Sequence, residues 1–94
     1  MAATTVDFPN QSRSFDEVRD AVRFTGYDGM FEVRFFVEAQ ALALPHPEPD
    51  DPDARESACL SAFDALRPSI YDAARKIHAR NRQDIHTLTA DNFR

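Results

Sequence analysis

Three histidines and one cysteine are the residues best suited to metal or nucleophilic chemistry: His46, His78, His86 and Cys59. None stands in an H-x-x-x-H, C-x-x-C or related spacing, so no metal centre is expected. Cys59 falls on the apolar stripe of a helix, where a thiol is a small core residue. His46 lies in a proline-rich loop and reads as solvated. His86 alternates with Ile85 and Thr87 in a strand and reads as a surface residue. Asp50, Asp51 and Asp53 are close together, but the loop lacks the central Gly and the final Glu of a calcium-binding loop. They read as a solubilising linker. No G-x-S-x-G is present, and the Gly-Tyr-Asp-Gly at 26–29 is too short for a phosphate cradle and lacks Lys. These absences lead to the expectation of a non-enzymatic protein with no catalytic residue and no cofactor.

Two surface features are candidates for recognition. Tyr71, Arg75, His78 and Arg82 follow i, i+4, i+7, i+11 along one helix, with Arg80 and Lys76 nearby. Residues 73–82 carry four bases and no acid. An aromatic followed by cations suits an acidic protein surface or phosphates. A plainer reading is a helix end that complements the macrodipole, with Asp72 pairing Lys76. The second feature is apolar: Met30 and Phe36 sit on the nominally outward face of a strand.

Composition narrows the partner. The 94 residues carry a net charge of −5, with 43% hydrophobic residues and eight Phe. One domain with one modest core is expected. Residues 1–52 hold 10 acids and 4 bases, and residues 53–94 hold 6 acids and 7 bases, so the chain is not a general polyanion binder. A lone Cys forms no internal disulfide and favours a reducing, cytoplasmic setting. No secretory signal or membrane-spanning run is read from the sequence.

The elements that must position these groups follow from periodicity. Residues 1–12 read as a leader with a short edge strand at 5–8. Residues 14–22 admit two readings. One is a two-turn helix with a Ser14/Glu17 capping box. The other is a strand at 13–16, a turn at 17–20 and a strand from Ala21. The second is preferred, because so short a helix is marginal. Around the Gly-bounded turn at 26–29, Val22 and Phe24 alternate with polar residues, and Phe31, Val33, Phe35 and Val37 face one way. This predicts a hairpin over 21–37. Residues 38–44 favour helix, and 45–53 form a stiff connector with four prolines and four acids. Asp53 is placed to cap the main helix at 54–82. Cys59, Phe63, Leu66, Ile70, Ala73, Ala74 and Ile77 span an arc of about 100° on that helix. Pro68 inside it predicts a kink or a split into two near-collinear helices. Residues 85–89 alternate again and predict a last strand that returns to the sheet.

The fold class is therefore α+β: a small antiparallel sheet of three to four strands packed on a long C-terminal helix, with Phe24, Phe31 or Phe35 meeting Phe63, Leu66 and Ile70. The order of these pieces resembles a small bacterial family known as domain of unknown function 1488. The likeness spans nearly the whole chain. It is carried by Phe8-Pro9, Phe15-Asp16, Arg19, residues 21–24, Gly29, Phe36, Phe63, Arg67, Ala74 and the closing Thr-Leu-Thr. It implies a compact α+β protein with an antiparallel sheet and a long C-terminal helix, and it brings no assigned activity. Pro68 and the proline-rich connector depart from it. The functional expectation is an interaction or regulatory module acting through a protein partner or self-association. The alternative is a nucleic-acid accessory binder using the basic stripe, and an unrecognised enzyme ranks last.

Overall fold

The computed structural model describes residues 6–42 and 51–93. Four strands, β1 (Arg13–Asp16), β2 (Ala21–Asp28), β3 (Phe31–Glu38) and β4 (Ile85–Leu88), form one sheet in the order β1-β2-β3-β4. One helix, α1 (Pro52–Arg80), packs on it. The segment at 13–22 takes the strand–turn–strand form. Asp16 Oδ1 accepts from the backbone of Val18 and Arg19 at 3.0 and 3.1 Å, and so organises the turn. Asp20 closes it at φ 52°, a left-handed conformation that Asp tolerates. The Asp20 carboxylate then grips Arg55 at 3.0 and 2.6 Å, and its carbonyl accepts from Ala39. One turn thereby ties β1, the end of β3 and the start of α1 together.

The hairpin turn is tighter than expected. β2 runs through Gly26 and Tyr27 to Asp28, and only Gly29 and Met30 form the loop. Gly29 alone of the two has φ above zero, at 64°, the position that a type II′ turn reserves for glycine. Gly26 is a strand residue, paired with Val33. A Cβ there would lie 2.5 Å from Val6 Cγ1 and 2.7 Å from the Phe8 ring, so the glycine makes room for the N-terminal segment. That segment bridges Asp7 to Tyr27, the described part of the edge strand expected at 5–8.

β4 pairs with β3 in parallel, so the sheet is mostly antiparallel and the expected last strand returns to it. After β3 the chain leaves the sheet and α1 carries it back, the kind of helical crossover that joins parallel neighbours. The stretch after β3 is a single turn of 3₁₀ helix, Ala39–Leu42, and residues 43–50, with His46 and most of the connector, lie outside the described residues. The helix begins earlier than expected. Asp51, not Asp53, is its N-cap, accepting from the Asp53 N–H, and Pro52 takes the first position, where its missing N–H costs nothing. α1 continues unbroken through Pro68 and is not split there.

The core lies between α1 and the inner sheet face. Phe24 is 5.1 Å from Phe63 and 5.2 Å from Phe35 between ring centroids. Cys59, Phe63, Ile70, Ala73 and Ala74 are buried as the helical phase predicts, whereas Leu66 is 37% exposed at the stripe's margin. Phe31 is excluded from the core. It stands 77% exposed beside Met30 at 96%. Phe36, expected outward and available, is 6% exposed, because the Arg19 guanidinium lies 4.2 Å over its ring.

Candidate functional site

The end of the hairpin and the end of α1 meet around three polar side chains. Asp28 lies at the inward parity of β2 with Val22, Phe24 and Gly26, and His86 lies inward on β4 with Leu88. His78, in the last turns of α1, reaches between them. His78 Nε2 is 2.9 Å from Asp28 Oδ2, and His78 Nδ1 is 2.9 Å from His86 Nε2. A carboxylate only accepts, so His78 donates to Asp28 through Nε2. With both rings neutral, His86 Nε2–H donates to His78 Nδ1. Both rings are buried, and His86 also stacks on Phe35 at 5.4 Å. Among the described residues no group of three or more His, Cys, Asp or Glu converges to hold a metal. This chain is a polar strut that fastens the hairpin's far end to the helix.

Beyond the strut an open cleft of about 1040 Å³ separates the hairpin tip from the chain that leaves the helix. Met30, Phe31 and Glu32 form one wall, and Arg82, Gln83 and Asp84 the other. Phe31 pairs with Asp28 across the hairpin, and α1 stops two residues after His78, so among the described residues no helix covers it.

The basic stripe is only partly a solvent face. Tyr71 stacks on Phe8 at 4.0 Å, its hydroxyl accepts from Arg67, and Arg75 Nε donates to the Val6 carbonyl at 3.0 Å. His78 is 3% exposed inside the strut. The N-terminal segment and the end of β2 cover these positions, whose helical phase alone reads as outward. Lys76, Arg80 and Arg82 of that set are exposed. His86, read as a surface residue, is buried against Phe35. Lys76 pairs Asp72 at 3.1 Å as the spacing predicts. Met30 is fully presented and Phe36 is not. Composition and helical spacing missed Asp28 and His86 as partners of His78. The available signal was parity, since polar side chains recur at the inward positions of β2 and β4.

The family model described as "Protein of unknown function (DUF1488)" matches residues 6–89. The chain belongs to the DUF1488 family. A crystal structure of a DUF1488 protein of unknown function from Shewanella loihica PV-4 shares the fold, with TM-score 0.69, 20% identity and 94% of each chain covered. No curated protein matches this member of the family.

Two steps of stability loss are expected on acidification. Burial, and then the neighbouring His78, push His86 below its ordinary value of 6.5. The unfolded chain therefore binds this proton before the folded one does. Stability is intact above 6.5 and falls as pH drops toward the lower folded value. The second step is carboxylate-driven. Hydrogen bonds from Arg55 hold Asp20, and those from Arg13 and then Arg67 hold Asp64, below the ordinary 3.8. Their contribution is present above that value and is lost as pH falls through the depressed ones. Urea midpoints measured from about pH 7.5 to 3 should show both steps, and His86→Gln should remove the upper one. An upper step unchanged in that variant would assign it to another group.

Proposed function

We propose that this domain is a non-enzymatic interaction module that docks a protein partner through the hairpin tip. The observation that carries the reading is the exposure of Met30 and Phe31, 96% and 77%, on a turn braced by the Asp28–His78–His86 strut. Large apolar side chains held out side by side, at the lip of a cleft, are what a recognition surface presents. Met adapts its shape to a partner, and Phe supplies rigid area. The buried Cys59 thiol, outside any disulfide, suits a reducing cytoplasm. Among the described residues no helix is long and apolar enough to cross a membrane. The nucleic-acid alternative has lost its principal support, because Tyr71, Arg75 and His78 are engaged internally.

The test is in-cell photo-crosslinking with p-benzoylphenylalanine placed at position 30. A discrete adduct is expected there and not with the probe at the exposed position 56, on the helix. An adduct of twice the chain's mass would identify self-association. No adduct at position 30 would sink the docking reading.

A further inference from the structure

β3 is longer than the strand beside it. Its residues Arg34 to Val37 pair with β4, whereas Phe31, Glu32 and Val33 have β2 on one side and, among the described residues, no strand on the other. The Arg34 N–H donates toward β4, to the Asp84 carbonyl, at 2.8 Å. Backbone groups alternate along a strand, so Glu32, two residues earlier, aims its N–H and C=O the same way, at the open edge. The opposite edge of the hairpin is treated differently. There Asp7 of the N-terminal segment exchanges two hydrogen bonds with Tyr27, at 2.9 and 2.8 Å.

The cleft beside the open edge has an apolar wall, Met30 and Phe31, and its charges are Asp28, Glu32 and Asp84 against Arg82. Resting on the docking reading, we infer that the tip takes an extended segment of a partner protein, which adds as a short strand beside Glu32 and alternates Lys or Arg with apolar residues. The alternation follows from the pleat. A residue set opposite Glu32 shares its face and meets its carboxylate, while the residues on either side face Phe31 and Val33. Backbone pairing supplies affinity and the alternating side chains supply selection. A second copy of this chain is disfavoured as occupant, because a two-fold contact would set one acidic tip against another. A polyanion is opposed by the same carboxylates and by the net charge of −5.

The experiment is an NMR titration of the ¹⁵N-labelled protein with a capped pentapeptide alternating Lys and Val, run beside its counterpart alternating Glu and Val. The Glu32 amide should shift most with the basic peptide and stay still with the acidic one. Glu32→Lys, at an exposed position, should keep its melting temperature and weaken binding by about fivefold or more. If both peptides shift Met30 and Phe31 equally, the charge selection is overturned while the docking reading survives. If neither binds, the strand proposal is overturned, and the photo-crosslink at position 30 decides the docking reading on its own.

Discussion

Phe63→Ala should lower the unfolding free energy by about 3–5 kcal/mol, the usual cost of emptying a buried aromatic site. Phe63 is completely buried. Its ring meets Phe24 at 5.1 Å and Tyr71 at 6.5 Å, and the Arg67 guanidinium sits 4.9 Å above it. Those neighbours cannot close the space easily, because each is held by a second partner. Phe24 is stacked on Phe35. Arg67 is bonded to Asp64, Tyr71 and the Gln11 carbonyl, and Asp64 is in turn clamped by Arg13. The cavity would persist, and the N-terminal segment leaning on this clamp would loosen with it. Leu66→Ala, three residues on, is the internal control. Leu66 is 37% exposed, so its loss should cost under about 1 kcal/mol. Urea denaturation with unchanged slopes measures both. Equal losses at the two positions would mean that α1 is rotated from the packing described.

That contrast marks where sequence periodicity works and where it stops. The 3.6-residue phase of α1 places Cys59, Phe63, Ile70 and Ala74 inward, and period-two alternation places Val22, Phe24, Val33, Phe35 and Val37 inward. Periodicity gives a face and says nothing of what lies over it. Phe31 shares the inward face but projects past the end of α1, and Phe36 shares the outward face but lies under Arg19. The Tyr71–Arg75–His78 line fails for the same reason, since the covering residues, Val6 and Phe8, are more than 60 positions away in sequence. The strut was hidden by the turn. Reading residues 26–29 as the loop removes Asp28 from β2, and with it the clue that an acid stands at an inward position. A two-residue loop with Gly29 left-handed restores the parity and brings Asp28 to His78.

The strut should behave as a unit in a double-mutant cycle. His78→Leu leaves His86 Nε2 without its 2.9 Å partner at a ring only 4% exposed, and it removes the donor to Asp28. An orphaned buried polar group of this kind costs about 1–3 kcal/mol. His86→Leu orphans His78 Nδ1 in turn, although His78 Nε2 keeps Asp28. The double variant strands neither ring. Two leucines of similar volume then face each other beside Phe35, and Asp28, whose side chain is 26% exposed, turns to water. The double loss should therefore be smaller than the sum of the single losses by about 1–2 kcal/mol, within the range of directly coupled pairs. The position-30 crosslink offers a second readout. If the strut holds the tip in its presenting geometry, His78→Leu should reduce the crosslink at temperatures where the variant remains folded. Single losses that add within about 0.5 kcal/mol would mean that the two imidazoles are not hydrogen-bonded in solution, and that Asp28 alone anchors the hairpin to α1.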